Sequence, residues 1–251
     1  MHAERTKKVE FSVVLPAHNE AGRVEEAVKE TKRALEEFLR SGAFEIIIAE
    51  DGSTDGTAET ARRIAALVPA VTHLHSDARL GRGTALNRAF KHAKGEVLAY
   101  LDADLSTEMS HLKPLLWAVK KEGGEGYDFA TGSRMLKNSE VKRSFKRAAM
   151  TRVFNFLVRR ILNSKIRDHQ CGFKSFRRDA LVSLLDEIKD NHWFWDTELL
   201  VRAQRRGYKI KEIPVRWEDK GGAGTKVNSL KDGLTMFYKI IKLRFAISSK
   251  S

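Results

Sequence analysis

The chain has 251 residues, 42% of them hydrophobic and 31% charged, with a formal net charge of +13 and a single cysteine, Cys171. That length and apolar content can bury one large core. The composition excludes a disordered chain, the lone cysteine excludes a disulfide framework, and no run approaches the roughly 18 apolar residues of a membrane-spanning helix.

In chain order, the opening "MHAERTKKVEF" is charged and lacks the apolar centre of a signal peptide, so a soluble or peripheral protein is expected. "EFSVVLPA" then reads as a buried strand stopped by Pro16, and 22–40 as a helix. "FEIIIAED" is the next strand, 57–68 the next helix, closed by Pro69, and "VTHLH" a third strand. A glycine-flanked helix follows over 82–94, then the strand "GEVLAYLDAD", a helix over 108–121 and the strand "YDFATGSR". Strand and helix alternating over about 130 residues predict an α/β fold with a mostly parallel sheet and helices on its faces.

Beyond residue 135 the pattern changes. A long helix is expected over 144–163, apolar on most sides, with Arg152 and Arg159 seven apart on one face. "YKIKEIPVRW" alternates like an edge strand. In a last helix over 229–246, Leu230, Leu234, Phe237, Ile241 and Phe245 line one face, and Lys231, Lys239 and Lys242 another. Between Lys137 and Arg167 stand ten lysines or arginines and one acid, Glu140. So concentrated a patch predicts a located anionic partner: a nucleic acid, an anionic membrane or a phosphorylated substrate.

Ligands of open α/β sheets collect beyond the carboxyl ends of the strands. The polar residues gather there: Pro16 to Glu20 after the first strand, Glu50 and Asp51 after the second, Asp102 to Ser106 after the fourth, Arg134 after the fifth. In "LDADLS" two carboxylates one residue apart repel unless a cation sits between them, and a hard divalent ion with oxygen ligands is the natural candidate. In "EDGSTDGT", Asp51 at the strand end can accept hydrogen bonds from a base edge, while Thr54 or Asp55 and the glycines suit a turn and helix cap. "LGRG" places Gly81, Arg82 and Gly83 at a helix start that favours anions, without the spacing of a P-loop or dinucleotide fingerprint. Cys171, His18 and His169 read as packing or polar neighbours, and Trp193 and Trp195 as core or rim.

"VVLPAHNE", "EDGSTDGT", "LGRGTALNRAF", "LDADLS" and "GSR", in this order, resemble the inverting family-2 glycosyltransferases of the GT-A (Rossmann-like) fold. "IRDHQCGFKSF", "WFWDTELLVRAQRRGYKIKEIPVRW" and "GTK" resemble the dolichyl-phosphate glucose and mannose synthases, the glucose enzymes more closely. The resemblance spans about 11–245. It implies one GT-A domain over 1–251, with a nucleotide-sugar half at about 11–135, an acceptor- and membrane-facing half at about 136–251, and C-terminal amphipathic or interfacial helices. It also implies Pro16, Ala17, Asn19 and Glu20 around the nucleotide, with Asp51 on the base and Arg82 beside it. Asp102 and Asp104 would hold Mg²⁺ or Mn²⁺ against the donor diphosphate, with Ser106 on the metal side. Arg134 would face the acceptor phosphate, with Arg152 and Gln170 beside it, and Lys226 would approach phosphates from a loop. Three positions depart from the usual pattern: Ser106 where mannose synthases often carry Gln, Glu50–Asp51 for a pair of Asp, and Gly81–Arg82–Gly83 for Gly-Lys-Gly.

The implied reaction transfers a hexose, glucose before mannose, from UDP-glucose or GDP-mannose to polyprenyl or dolichyl phosphate with inversion. A phosphate monoester is already an anion and needs positioning rather than a strong base. Asp196 in "WDTELL" is therefore open between base, orienting group and helix N-cap. A lipid-borne acceptor implies a peripheral protein on the cytoplasmic face of an anionic membrane. The alternatives are transfer to a glycan hydroxyl, which needs a carboxylate base, and a non-catalytic basic module on nucleic acid or membrane. No zinc-finger or helix-turn-helix pattern is present, and no nucleic-acid partner is expected.

Overall fold

A computed structural model describes residues 8–220 and 229–248. The chain runs β1 (Phe11–Ala17), α1 (Val24–Glu36), β2 (Phe44–Glu50), α2 (Thr57–Leu67), β3 (Val71–Leu74), α3 (Arg82–His92), β4 (Val97–Leu101), α4 (Leu112–Val119) and β5 (Phe129–Ser133). It continues through β6 (Glu140–Lys142), α5 (Phe145–Ile161), β7 (Phe173–Arg177), α6 (Arg178–Leu185), α7 (Trp195–Arg205), β8 (Ile210–Pro214), β9 (Arg216–Glu218) and α8 (Ser229–Ser248).

Local chemistry accounts for several boundaries. Val68 precedes Pro69, is driven to extended geometry (φ −118°, ψ 102°), and ends α2. Acids Glu25 and Glu26 open α1 and Arg33 lies in its last turn, each complementing the helix dipole. Pro114 sits in the first turn of α4, where its missing N–H costs no hydrogen bond. The helix expected from 108 starts later because Met109–His111 form a 3₁₀ turn.

Seven strands make one sheet in the order β3-β2-β1-β4-β7-β5-β8. All pairings are parallel except those of β7, which runs antiparallel to β4 and β5. Within the segment 208–217 only Ile210–Pro214 form the sheet's edge strand, β8, as the alternation predicts, and the chain then leaves for β9 at Arg216; β7 was not legible as a strand. A small parallel pair, β6–β9, stands apart from the main sheet.

Alternate residues of the central strands feed two cores. Val13, Leu15, Ile46 and Ile48 pack beneath α1, α2 and α4, with Leu35, Ile64, Leu112 and Leu116. Val14, Ile47, Tyr100 and Phe176 pack beneath α3, α6 and α7, with Phe90, Leu181 and Trp195. A third cluster joins α5, α7 and α8 through Val158, Leu162, Val201, Ile240, Leu243 and Ile247.

That third cluster shows which side of the last helix packs inward. The buried stripe is Ile240, Leu243 and Ile247, while Leu234 (69% exposed), Phe237, Tyr238 and Phe245 (72% exposed) face outward. Lys239 reaches Asp190 at 2.5 Å. In α5, only Asn155 and Val158 are buried, and Phe145, Val153 and Phe156 are exposed. Both helices have more apolar surface than their packing consumes.

Candidate active site

Parallel pairing brings the carboxyl ends of β1, β2 and β4 to one rim, and antiparallel β7 starts at the same level. Here β4 releases Asp102 and Asp104. Leu105 between them and Ser106 adopts a left-handed φ of 50°, uncommon for a bulky residue, and re-aims the chain. The Ser106 amide donates to Asp104 Oδ1 at 2.9 Å. Asp102, Asp104, Ser106, Thr107, Gly172 and Trp217 border a cavity of about 10 Å³, room for a water or a single ion. Gly172 is required there, because a Cβ would lie 1.7 Å from Asp102 Oδ2.

The two acids are only partly neutralised. Arg82 Nη2 donates to Asp102 Oδ1 at 2.8 Å. Burial nevertheless pushes the Asp102 carboxyl up; Arg82 pulls it down and Asp104 adds repulsion, and the net direction is upward. Hard oxygen donors with unbalanced negative charge around an ion-sized space fit Mg²⁺ or Mn²⁺.

Arg82 is itself built in. Gly81 (φ 102°) starts α3, and a Cβ at Gly81 or Gly83 would strike the carbonyl of Asn191 or Asp190 at 2.2 or 2.8 Å. The tight loop sandwiches the Arg82 guanidinium between the Tyr100 and Trp193 rings, 4.9 Å from each. Its Nη1 donates to Asp196 Oδ2 at 2.9 Å. Tyr100 donates its hydroxyl to Asp196 Oδ1, and Lys174 Nζ lies 3.2 Å from the same oxygen. Burial alone would raise the Asp196 pKa, but Lys174 and Arg82 overcome it and hold the carboxylate ionised below its usual range. Asp196 lies inside the first turn of α7 and is not its N-cap, which is Phe194. With both oxygens engaged and almost no exposure, it anchors Arg82 and is poorly placed to take a proton from a substrate.

Asp51 is tied to the same loop. It is 3% exposed, and its two oxygens accept from the Leu80 and Gly81 amides at 2.7 and 2.9 Å. It thereby pins the loop that carries Arg82. Ala17 is buried in the core, so only its backbone can face a ligand. Pro16 is half-buried beside it. Asn19 is exposed with φ 56°, and its Oδ1 accepts from the Thr54 amide at 2.9 Å. Glu20 pairs with Arg23 at 3.5 Å. Burial raises its pKa against the pull of Arg23, and the Asp104 charge adds to the rise.

On the other flank, Arg134 forms a fork with Asp168: Nε to Oδ2 at 2.7 Å and Nη2 to Oδ1 at 2.9 Å. Burial opposes ionisation of Asp168, but Arg134 prevails and draws its pKa down to about 2. The guanidinium also lies 5.3 Å from the Trp217 ring, which borders the acidic cavity. The next residue, Met135, begins a separate cleft of about 260 Å³ lined by Arg152, Asn155, Phe156, Arg159 and Arg167. Arg152 therefore belongs to this cleft rather than to the acidic cavity. Gln170 is half-buried, and its backbone N–H donates to Asp168 Oδ1 at 3.2 Å. Lys226 lies outside the described residues.

Cys171 is fully buried, which pushes its thiol up to about 12 and removes it as a nucleophile. Burial likewise lowers His169 to about 3, and its ring meets Asn155 Oδ1 and Ser164 Oγ, each at 2.8 Å. Tyr100, Lys174, Asp168 and Gly172 were not singled out in the sequence. The available signal was Lys174, a charge inside an apolar strand that must find a buried partner.

The sequence profile of Glycosyl transferase family 2 matches residues 12–185. Glycosyltransferase AglD of Haloferax volcanii is 52% identical over 234 residues, covering 93% of this chain; the chain spans 37% of that protein's length. Dolichyl-phosphate beta-glucosyltransferase ALG5A of Trichomonas vaginalis is 32% identical, covering 92% of this chain and 73% of its own. The dolichyl-phosphate beta-glucosyltransferase of Saccharomyces cerevisiae is 29% identical, covering 96% and 75%. Among solved structures, glucosyl-3-phosphoglycerate synthase from Mycobacterium tuberculosis with Mn²⁺, UDP and glucosyl-3-phosphoglycerate superposes with a TM-score of 0.63 at 20% identity, over 95% of this chain and 79% of its own. Mannosyltransferase PcManGT from Pyrobaculum calidifontis with GDP-Man and Mn²⁺ gives 0.61 at 20% identity, over 96% and 64%. The expected GT-A fold, a mostly parallel sheet flanked by helices, is the fold observed.

Proposed function

We propose, on the premise that the chain belongs to glycosyl transferase family 2, that it transfers a hexose from a nucleotide sugar to a polyprenyl phosphate with inversion. UDP-glucose is the favoured donor, with GDP-mannose second. One observation carries this reading: Trp217 borders the acidic cavity, lies against Arg134, and Arg134 leads through Met135 into the arginine-lined cleft. An acidic, metal-suited pocket thus adjoins a basic cleft, the arrangement needed by a diphosphate donor and a phosphate acceptor. The relatives named as dolichyl-phosphate beta-glucosyltransferases favour the same acceptor class and sugar.

In this reading, residues of about 11–135 bind the donor and those beyond 136 the acceptor, within one domain. Pro16, the Ala17 backbone, Asn19 and Glu20 border the nucleotide. Asp104, with Asp102 and Ser106, holds Mg²⁺ or Mn²⁺, which when bound supplies positive charge to the departing diphosphate. Arg82 fixes Asp102 and presents its own charge to the same region. Arg134, Gln170 and the cleft residues Arg152, Arg159 and Arg167 receive the acceptor phosphate, and Lys226 is assigned to the same phosphates.

A phosphate oxygen of the acceptor attacks the anomeric carbon. The bond from that carbon to the diphosphate oxygen breaks, and the nucleoside diphosphate leaves with the electron pair. The attacking oxygen carries no proton at neutral pH, so the step needs no carboxylate base. This favours a phosphate acceptor over a glycan hydroxyl, because Asp196 is already committed to Tyr100, Lys174 and Arg82.

No helix among the described residues is long and apolar enough to cross a membrane. The outward faces of α5 and α8, with Phe145, Phe156, Leu234, Phe237 and Phe245 set among lysines and arginines, suit an anionic bilayer surface at its cytoplasmic face. Incubation with UDP-glucose or GDP-mannose, a short polyprenyl phosphate and Mg²⁺ or Mn²⁺ tests the assignment. It predicts a hexosyl-phosphoryl-lipid from UDP-glucose. Product from neither donor contradicts it.

A further inference from the structure

A second cluster of ligand-type atoms lies away from the acidic cavity, at the outer side of the sheet. β2 ends in Glu50, and β3 carries His73 and leads into His75. The register pairs Ile48 with His73. Side chains two apart share a face, so Glu50, His73 and His75 converge on the side covered by α1 and α2. One carboxylate oxygen and one nitrogen from each imidazole lie within 4.8 Å of one another. Among the described residues this is the one group of three or more histidine, cysteine or acidic side chains so arranged. It does not include Asp102 or Asp104, and no step above uses it.

Each member is poised. The Glu50 side chain is buried, and its Oε1 accepts from the Ser53 amide at 2.5 Å, which fixes the carboxylate. Its Oε2 faces His75 Nδ1. The other nitrogen of His75, Nε2, lies 3.1 Å from Asp77 Oδ1. A carboxylate behind the far nitrogen is how ligating histidines are oriented and made more basic. His73 Nε2 is buried with no hydrogen-bond partner. A buried imidazole nitrogen without a partner is rare enough to require a reason. His75 is exposed, which gives an ion a path in and leaves a coordination position for water.

We propose that Glu50, His73 and His75 bind one divalent transition-metal cation of the Zn²⁺ class. Two imidazole nitrogens and one carboxylate oxygen form a borderline donor set that suits Zn²⁺ and selects against the hard Mg²⁺ ion. The site is structural in its consequences. It ties the edge strand β3 to β2 one residue before Asp51, whose carboxylate holds the Leu80–Gly81 loop. The proposal stands independently of the donor and acceptor assigned above.

Equilibrium dialysis of the full chain against Zn²⁺ tests it, performed in the background Asp102→Asn/Asp104→Asn so that the acidic cavity does not contribute. One Zn²⁺ per chain is expected there, undisplaced by millimolar Mg²⁺. His73→Gln and His75→Gln are each expected to weaken binding at least tenfold, with melting of the metal-free proteins confirming that they fold. His75→Gln alters an exposed side chain and covers the case in which His73→Gln does not fold. Co²⁺ in the same background should give visible absorption of a low-coordinate site, lost in His75→Gln. Loss of Zn²⁺ binding in the double-aspartate background, or binding unchanged in the folded histidine variants, overturns the assignment.

Discussion

Arg82 and Asp196 are 114 positions apart in sequence and 2.9 Å apart in space. The second arm of the same guanidinium takes Asp102 at 2.8 Å. One side chain from the start of α3 thus couples the acid that opens the metal-suited cavity to a buried carboxylate on α7. Removing it leaves the buried Asp196 and the partly exposed Asp102 short of a partner. Arg82→Ala is expected to lower unfolding free energy by about 3–5 kcal/mol, the usual cost of breaking a buried pair from one side. Arg82→Lys keeps the charge but loses the fork, and should fold while losing about ten- to a hundredfold in kcat/KM. Denaturant titration and steady-state transfer assays separate the two. Full activity in Arg82→Lys would show that the fork is dispensable.

Gly172 gives a sharper test of the same cavity. A methyl group there would overlap Asp102 Oδ2, so Gly172→Ala must push that carboxylate off Arg82. Transfer activity should fall about a hundredfold, while overpacking costs only about 1–3 kcal/mol. Activity retained in the alanine variant would mean that the position of Asp102 is unimportant.

The Arg134–Asp168 fork sets a dependence on pH. Asp168 has a depressed folded pKa, about 2 against an ordinary 3.8. Its contribution is therefore fully present above about pH 4 and is lost as the pH falls through 2. The stability difference between wild type and Asp168→Asn should shrink by about 2 kcal/mol across that window. Paired urea titrations at pH 7 and at pH 2 measure it, and a constant difference would contradict the assignment.

The α8 helix separates docking from packing. Phe237→Asp and Phe245→Asp lie on its outward face and should leave the melting temperature nearly unchanged. Each should weaken sedimentation with phosphatidylserine vesicles about tenfold, the scale of one buried aromatic side chain. Ile240→Asp places a charge in the third core and should unfold the protein. Equal vesicle binding by the Phe variants would remove this face from the interface.

The first 135 residues were largely legible because each strand there is a short apolar run followed by polar residues, the pattern of a parallel sheet. β7 was not, since "FKSF" carries a lysine and a serine that are fully buried only because Asp196, Tyr100 and the Leu115 carbonyl receive them. The acidic pair and Arg134 were visible as residues. The tethers that define their roles, Arg82 to Asp196, Arg134 to Asp168 and Asp51 to the Leu80–Gly81 amides, span 29 to 114 positions and needed three dimensions. The last helix carries apolar residues on more than one face. Its pattern alone does not show that Ile240, Leu243 and Ile247, rather than Leu234, Phe237 and Phe245, would meet α5 and α7.

The central claim is that an anionic lipid oxygen attacks a donor held at Asp102 and Asp104. Its most direct test compares polyprenyl phosphate with the matching polyprenol, using UDP-glucose and Mn²⁺, in wild type and Asp104→Asn. Glucosyl-lipid should form only from the phosphate, and the variant, folded as wild type, should make it at least a hundredfold more slowly. Equal transfer to the uncharged alcohol, or an undiminished rate in Asp104→Asn, would contradict the account.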